Sequence, residues 1–578
     1  MIGQQLLQAA ENTARLGDWR PLFALLAGYG AIVVALAVSG KQKRGFGPTY
    51  ILPRISSSLE RLTGIPGWAA AAIGTGCFGV LVAGMGFYND VAWHVSLGRD
   101  QVLFTAPHTA IVIGLFLIFA AAIVGTVMAR LEGFQGGLLV RDLRIPWSML
   151  ALGLFGGSAL AGFPLDDIWH RFYGIDVTMW SPTHLLMILG AAFSPLASWL
   201  ALAEAGVRPS DGRWQRGVYV AVAVMTLLGL TAAQGEFSFG VPQFQQLYHP
   251  ILIAVAAGIA LTTTRLVIGR WWAVAVALIG VGIGTGNLFG RQTSRPAALY
   301  VTCAVAVELA GLLFGIERRL RFAVASGLGI ATIGLAGEWA WNQDAFQRWT
   351  TALFPDAIVL GLLAAVGAAV IGVAFGSSTR HERTMRGVVV VVAGVVLLFC
   401  LAWPLPRTNI DARVQVRLTR VADDEVRVTA RVDPADAAEG ARWFQAMAWQ
   451  GGGMVAVDMK ERSPGVYESE GPVPVGGRWK TVLRLQKGTA TSSTPIWFPK
   501  DAAIGAPEIP AVDRTAAFEL EQKYLLREQH SGAGWFAPLV YAALLFVAAL
   551  WTGGVVLAAR KISAPAPRQP TSTELAAA

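Results

Sequence analysis

The sequence predicts an all-α polytopic membrane bundle of about 13 spans, with repeated helical-hairpin units and an extracytoplasmic β-sandwich before the last span. Three observations predict this fold. The 578-residue chain is 54% hydrophobic and 14% charged, whereas soluble domains carry about 25% charged residues. Many apolar runs approach the length of about 20 residues that a bilayer span needs. One stretch near the C-terminus instead alternates apolar and polar residues, as half-buried strands do.

The apolar runs place the predicted spans along most of the chain. They lie near 21–39, 67–86, 103–128, 146–163, 182–204, 217–234, 249–268, 271–290, 297–316, 321–340, 354–376, 387–405 and 535–559. Residues 1–405 are therefore predicted to form a transmembrane helical domain, and residues 534–560 a C-terminal transmembrane anchor. Cys77, Cys303 and Cys400 lie in apolar runs, so we expect buried thiols rather than disulfides or metal ligands.

Basic residues predict which loops face the cytoplasm, because Lys and Arg are enriched in cytoplasmic loops of membrane proteins. They cluster in alternate loops, at Lys41, Lys43 and Arg44; Arg130, Arg141 and Arg144; Arg208, Arg213 and Arg216; Arg265 and Arg270; Arg318, Arg319 and Arg321; Arg380, Arg383 and Arg386; and Arg560 and Lys561. We therefore predict a multi-pass protein of the cell (inner) membrane, with its N-terminus outside and its C-terminal tail in the cytoplasm. Arg291 and Arg295 depart from this pattern. The net charge of +9 then needs no nucleic-acid partner.

Residues 406–533 predict an extracytoplasmic, periplasmic-type β-domain. Segments such as VQVRLTRVADDEVRVTARV alternate apolar and polar residues, and turn signals such as WQGGG separate them. The stretch 471–485 loosely resembles a hairpin of the Ig-like or cupredoxin-like modules in copper and oxidase-assembly proteins. The domain contains no Cys, which a blue-copper site needs, and its methionines are expected to fill its core. The tail, 561–578, is rich in Pro, Ala and Ser and is predicted to be disordered.

Two segments, 86–114 and 162–190, share an internal repeat. The common pattern is G-F-x2-D-x2-W-H-x3-G-x-D-x7-H-x5-G, at an offset of 76 residues without a gap. The paired residues are Gly86 and Gly162, Phe87 and Phe163, Asp90 and Asp166, Trp93 and Trp169, His94 and His170, Gly98 and Gly174, Asp100 and Asp176, His108 and His184, and Gly114 and Gly190. We interpret the two segments as copies of one span–loop–span unit.

Each unit predicts a metal site. Asp90 and His94 are four residues apart and share one face of a helix, as paired ligands do in other metal motifs. In one continuous helix His108 would lie about 21 Å further along, so we predict that the chain reverses near Gly98. The same reasoning selects a second set, Asp166, His170 and His184. Such sites suit copper, zinc or non-haem iron, and three ligands leave positions open for catalysis.

Structural roles are the alternative for these polar residues. A histidine near a membrane interface often serves only as a hydrogen-bonded structural group, but intramembrane ionisable groups are usually functional. Asp167 competes with Asp166, and the repeat register favours Asp166. Asp100 and Asp176 either orient a ligand histidine or cap the returning helix. Trp93 and Trp169 are expected to lie in an interfacial aromatic belt.

A later segment, GEFSFGVPQFQQLYHP, resembles a diverged copy of the unit and contains Glu236 and His249 as candidate ligands. Another, GEWAWNQDAFQRWTTALFPDA, offers Glu338, Asp344 and Asp356 but no histidine. Because both ligand sets are incomplete, we expect these segments to line the same cavity rather than bind metal. Glu236 and His249 could serve in proton movement.

The first unit resembles the metal-binding segment of the C subunit of particulate methane and ammonia monooxygenases. That family's D-x2-W-H, R-D and F-T-P-x-H elements correspond here to DVAWH, RD and FTAPH. The resemblance covers about residues 60–200 and implies copper bound by Asp90, His94 and His108. In the family's second site an Asn stands where this chain has Asp166.

This resemblance implies a copper-dependent membrane monooxygenase component that oxidises a small apolar molecule or ammonia with O2. It implies membrane partner subunits and a quinol or other electron donor. The residues leave open a copper transport or delivery protein, and a scaffold with structural metal.

Overall fold

The computed structural model describes residues 48–98, 104–174, 178–240, 244–285, 295–382, 385–405, 409–529 and 534–563, with isolated positions 27, 30 and 31. Over these residues the chain is mostly helical, with a C-terminal β-sheet domain. Most of the predicted span 21–39 lies outside the described residues, as do Asp100, Asp176 and residues 564–578 of the tail.

The helices are numbered in chain order. They are α1 (Pro48–Thr63), α2 (Gly67–Leu97), α3 (Ala106–Leu131), α4 (Trp147–Tyr173), α5 (Pro182–Glu204), α6 (Arg213–Thr231), α7 (Gly235–Phe239), α8 (Tyr248–Val267), α9 (Trp272–Thr285), α10 (Val301–Leu313), α11 (Arg319–Gly329), α12 (Leu335–Asn342), α13 (Phe354–Thr379), α14 (Gly387–Ala402), α15 (Gln522–Leu525) and α16 (Phe536–Ser563). Helix α1 lies between two predicted spans, in a segment for which the sequence predicts no span.

Within the described residues, 9 helical segments are long and apolar enough to cross a membrane. They are α2, α3, α4, α5, α6 with α7, α8, α11 with α12, α13 and α16. Shorter apolar helices, α9, α10 and α14, coincide with three further predicted spans. This set of helices is typical of a multi-pass membrane protein.

The strands lie almost entirely in the C-terminal domain. A small hairpin, β1 (Leu138–Val140) and β2 (Leu143–Ile145), joins α3 to α4. The domain's strands are β3 (Arg413–Ala422), β4 (Glu425–Asp433), β5 (Trp443–Trp449), β6 (Met454–Ser463), β7 (Val466–Ser469), β8 (Val473–Pro474), β9 (Lys480–Lys487), β10 (Ala490–Trp497), β11 (Arg514–Ala517) and β12 (Glu519–Leu520). They form an antiparallel sheet of order β11-β3-β4-β7-β6-β5-β9-β10-β12, with β8 paired to β4.

Both halves of this sheet contribute to one hydrophobic core. Val414 and Val428 of β3 and β4 pack in the same buried cluster as Phe444 and Leu483 of β5 and β9. The sheet therefore folds over on itself and encloses its apolar faces. This arrangement follows from alternation along β4 and the first half of β3, where every second side chain is apolar and faces the core.

The β-domain lies against the helical domain through polar contacts. Gln486 accepts a hydrogen bond from the backbone N–H of Gln246 at 3.0 Å. Arg442 is buried and forms an ion pair with Asp356 at the start of α13. The domain also contacts the C-terminal end of α2, which carries Asp90 and His94. The first repeat unit and the β-domain therefore meet at one end of the bundle.

Candidate metal centres

Each repeat unit folds as two antiparallel helices joined by a reversal. Helix α2 ends at Gly98, whose φ of 96° lies in a region that favours glycine. Helix α3 begins at Thr105, whose side chain accepts a hydrogen bond from the backbone N–H of His108. The reversal brings His108 back beside Asp90 and His94, as the spacing predicts.

The second unit uses the same local devices at equivalent positions. Helix α4 ends at Gly174, with a φ of 79°. The side chain of Ser181 caps α5 and accepts from the backbone N–H of His184. Ser and Thr are common at the position that caps a helix N-terminus. Because the histidine follows the cap by three residues in both units, it lies in the first turn of the returning helix.

The first group consists of Asp90, His94 and His108. Its ligand atoms all lie within 4.8 Å of one another. The Nε2 atom of His94 lies 3.5 Å from Asp90 Oδ2, and the Nε2 atom of His108 lies 3.2 Å from Asp90 Oδ1. Both imidazoles therefore face the same carboxylate, each from a different helix.

The second group consists of Asp166, His170 and His184, again within 4.8 Å. The Nε2 atoms of His170 and His184 lie 3.7 Å and 3.2 Å from Asp166 Oδ2. The other carboxylate oxygen, Oδ1, accepts a hydrogen bond of 2.6 Å from the hydroxyl of Thr183. This group therefore presents one carboxylate oxygen to both imidazoles.

In His94 and His184, the ring nitrogen that does not face the carboxylate, Nδ1, lies against a backbone carbonyl. His94 Nδ1 lies 3.0 Å from the Gly98 carbonyl oxygen, and His184 Nδ1 lies 2.5 Å from the Thr178 carbonyl oxygen. Because a carbonyl only accepts, each Nδ1 carries the proton. In a neutral ring Nε2 then has a bare lone pair, which faces the lone pairs of a carboxylate. Two such acceptors approach closely only with a second ring proton or a cation between them.

The residues fit a metal ion at both groups. Ligand atoms about 2.0–2.2 Å from a tetrahedral ion lie about 3.3–3.6 Å apart, close to the nitrogen–oxygen distances of 3.2–3.7 Å. Asp90 Oδ1 and His170 Nε2 are buried without a hydrogen-bond partner, although buried polar atoms normally have one. The Nδ1–H to carbonyl contacts resemble the outer contacts that orient metal-bound histidines. The two groups could therefore each bind one ion.

Both groups line a single cavity of about 240 Å³. Apolar side chains form much of its wall, including Phe87, Phe163, Met179, Met187 and Phe239. Phe163 lies between the two groups, because its ring is 6.1 Å from the His108 ring and it precedes Asp166 by one helical turn. A small molecule in this cavity would face both carboxylate–imidazole groups.

The other acidic residues predicted near the groups have different positions. Asp167 forms an ion pair with Arg171 at 2.9 Å, while Asp166 joins the two histidines. Asp167 and Glu236 also line the cavity. Asp100 and Asp176 lie outside the described residues, so their orienting or capping roles stay predictions.

His249 is buried away from the two groups. Its Nδ1 atom accepts a hydrogen bond of 3.1 Å from the indole N–H of Trp349, and its ring stacks on Phe237. It does not occur among the described residues that line the cavity. These contacts indicate a packing role for His249 in the present arrangement.

Several residues at the site were missed by the sequence reasoning. Thr183 holds Asp166, yet its counterpart in the first unit is Pro107, so the repeat gave no signal. Gln450 of the β-domain lines the cavity, and no local pattern links it to a segment so distant in sequence. Arg295, which departs from the positive-inside pattern, also lines the cavity and stacks over Trp341 at 3.9 Å.

Comparison of the chain with protein-family models, with curated proteins and with solved structures finds no match. What the site can bind therefore follows from its own donor atoms: two groups, each of one carboxylate and two imidazoles, that could hold a metal ion.

Proposed function

We propose that this chain is a copper-dependent membrane monooxygenase component, with one copper ion in each Asp/His/His group. The observation that carries the proposal is the presence of both groups on the wall of one largely apolar cavity. Three protein ligands leave coordination positions open towards that cavity. A structural ion would not need an open position or a cavity beside it.

The reaction places one atom of O2 in a small apolar substrate or ammonia and reduces the other atom to water. It consumes two protons and two electrons, which a quinol or another donor would supply. When bound, copper would supply the one-electron chemistry that O2 reduction requires. The chain's own residues hold the Asp and His side chains at fixed positions. The aromatic and methionine side chains of the cavity wall exclude bulk water and keep the substrate beside both groups.

The donor atoms limit the choice of metal, and the family resemblance favours copper within that choice. Imidazole with a carboxylate suits copper, zinc or non-haem iron equally well in principle. The DVAWH and FTAPH elements resemble the copper-binding segment of the methane and ammonia monooxygenase C subunit, which favours copper among the three. The same resemblance supports partner subunits in the cell membrane, and the basic residues of the alternate loops support the extracytoplasmic side for both groups.

Copper transport or delivery is the alternative function. A transporter would need further soft or polar ligands along the route inward, and Cys77 and Met85 are the nearest candidates in the sequence. Among the described residues that line the cavity, neither occurs, whereas the thioether side chains Met179, Met187 and Met225 do. The cavity wall is therefore compatible with both functions, and the measurements below separate them.

Metal analysis of the purified full-length chain tests the proposal. We expect about two copper ions per chain after loading with copper, zinc and iron in competition. The variants His94→Ala and His170→Ala should each retain about one, and the double variant none, because one missing imidazole leaves two ligands. His249→Gln is the control and should retain two, since His249 lies outside both groups.

Oxygen consumption then separates the functions. With the partner subunits present, O2 uptake that depends on a quinol and a small hydrocarbon or ammonia supports the monooxygenase. Copper movement across proteoliposomes without O2 uptake supports transport. A wild-type chain that binds none of the three metals contradicts both.

A further inference from the structure

The last turn of α2 exposes carbonyl groups that the helix itself cannot pair. An α-helix leaves its last four C=O groups without a partner further along the helix. In α2 the His94 carbonyl accepts a hydrogen bond of 3.3 Å from the backbone N–H of Gly98, so the carbonyls left over belong to Val95, Ser96, Leu97 and Gly98. His94 lies in the same turn and belongs to the first group, so whatever pairs these carbonyls also helps to fix the position of that group.

The β-domain supplies donors to the carbonyls of Val95, Ser96 and Leu97, and a second donor to the His94 carbonyl. The backbone N–H groups of Gln450 and Gly452 donate to the carbonyls of Val95 and Ser96, both at 2.9 Å. The side-chain amide of Gln450 donates to the His94 carbonyl at 3.3 Å. The guanidinium of Arg478 donates to the Leu97 carbonyl at 3.4 Å. Two turns of a distant domain therefore cap this helix.

The turn between β5 and β6, residues 450–453, caps α2 with two residues that have a positive φ. Gln450 has a φ of 67°, which non-glycine residues rarely adopt, and Gly452 has a φ of 102°. Gly451 packs against the indole of Trp479 so closely that a side chain there would overlap it. Left-handed residues of this kind cluster at functional sites, where surrounding contacts hold them in place.

The capping contacts lead directly to the first group. The Gly98 carbonyl, which holds His94 Nδ1 at 3.0 Å, directly follows the capped turn. The Gln450 side chain packs against Gly98, because a Cβ at Gly98 would lie 3.3 Å from Gln450 Oε1. Gln450 is buried and also lines the cavity. A shift of Gln450 would therefore move the carbonyl that orients the His94 ring.

The equivalent end of α4 has other partners. Gly174 pairs with Gln529, which belongs to the β-domain but follows its last strand, β12. The Tyr173 hydroxyl accepts a hydrogen bond of 2.8 Å from the backbone N–H of Ala537 at the start of α16. The second group is thus held through the segment that leads to the last helix.

We propose that Gln450 is a positioning residue for the first group, through which the β5–β6 turn of the β-domain controls metal binding there and not at the second group. This inference rests on the proposed function, because it requires that the groups bind metal. The β-domain thereby takes part in the first centre, in addition to lining the cavity through Trp449 and Gln450.

Copper titration of single-group chains tests the inference. In the His170→Ala background only the first group remains, and in the His94→Ala background only the second. We expect Gln450→Ala to weaken copper binding about tenfold in the first background, with a changed copper EPR spectrum. Gly452→Ala, which strains the turn, should weaken it further. In the second background neither substitution should change the affinity.

Gln486→Ala is the matched control, because it removes a Gln side chain from the same domain interface at Gln246, away from α2. It should leave the first group's affinity and spectrum unchanged. Unaltered binding in Gln450→Ala, or equal losses at both groups, would overturn the inference. A His170→Ala chain that binds no copper would instead count against the proposed first metal site.

Discussion

At the scale of single residues, Asp90 and Asp166 occupy equivalent repeat positions but have different surroundings. Asp90 directs one oxygen to each imidazole, and its Oδ1 atom is buried without a hydrogen bond. Asp166 has one oxygen held by Thr183 and the other directed to both imidazoles. The first carboxylate can offer both oxygens to an ion, while the second can offer one. The two centres are therefore not equivalent.

We expect Thr183→Val to weaken metal binding at the second group about tenfold. The substitution removes the hydroxyl that fixes the Asp166 carboxylate, and a hydrogen bond to a charged group contributes about 1.5–3 kcal/mol. Copper titration in the His94→Ala background, with EPR to follow the coordination, measures the change.

Thr126→Val provides the matched control for this experiment. The Thr126 hydroxyl donates a hydrogen bond of 2.8 Å to the Ala122 carbonyl of its own helix, its one hydrogen-bond partner among the described residues. Its loss should leave both groups' affinities intact. If the two substitutions have the same effect on the second group, Thr183 does not position Asp166.

At the scale of secondary structure, the repeat glycines set the distance between the two helices of each hairpin. A Cβ at Gly86 would lie 2.6 Å from the backbone nitrogen of Ile111, and one at Gly114 would overlap the backbone of Ala83. At Gly190 it would lie 2.9 Å from the carbonyl oxygen of Phe155. Small residues allow this close approach of membrane helices. The glycines thus bring the ligands on facing helices within reach of one another.

We expect Gly114→Ala to separate α2 from α3 and to destabilise the protein by about 1–3 kcal/mol, the usual cost of overpacking. Because His108 lies on α3 and Asp90 on α2, copper affinity at the first group should fall in parallel. Thermal unfolding in detergent and copper titration in the His170→Ala background report the two effects.

Gly74→Ala is the control in the same helical hairpin, on α2, since a Cβ at Gly74 meets nothing within 4 Å. It should lower neither the melting temperature nor the affinity, because alanine favours a helix over glycine. A Gly114→Ala chain with wild-type stability and binding would show that the close helix contact is not needed.

At the scale of the whole molecule, the β-domain and the first group share one end of the bundle. The opposite helix ends converge elsewhere: the ring nitrogens of His381 lie 3.2 Å and 3.0 Å from the carbonyl oxygens of Ala203 and Ile562. Gln215 likewise donates to the Gly64 carbonyl at 3.2 Å. These ends belong to the loops in which the basic residues cluster, so the positive-inside rule predicts that they face the cytoplasm.

Cysteine labelling tests this orientation. We expect a membrane-impermeant maleimide to label Glu461→Cys in intact spheroplasts, because Glu461 is exposed on the β-domain. Gln135→Cys, exposed in the basic loop between α3 and α4, should react only after the membrane is permeabilised. The wild-type chain is the control, since Cys303 and Cys400 are buried and Cys77 is partly buried. The reverse labelling pattern would contradict the predicted orientation.

Patterns within short segments predict most of the secondary structure and the six donor side chains of this protein. Run lengths of apolar residues predict helices that the structure places from Gly67 to Ser563, because a span carries its own hydrophobic signal. Alternation predicts the strands of the β-domain for the same local reason. The repeat singled out the six side chains that the structure groups, since Asp and His four residues apart must share a helix face and a glycine marks the reversal.

Contacts between distant segments were decided only by the tertiary structure. The meeting of both groups on one cavity, the hydroxyl of Thr183 on Asp166, and the capping of α2 by Gln450 join residues that no local pattern connects. Helix periodicity fixes the face of the helix on which a residue lies. Packing between helices fixes which neighbouring element that face contacts. Local patterns therefore predict most of the helices, the strands and the two sets of donor atoms, because each carries its own periodic signal. Packing between distant segments gives the two sets different surroundings and places a turn of the β-domain on the helix that carries one of them.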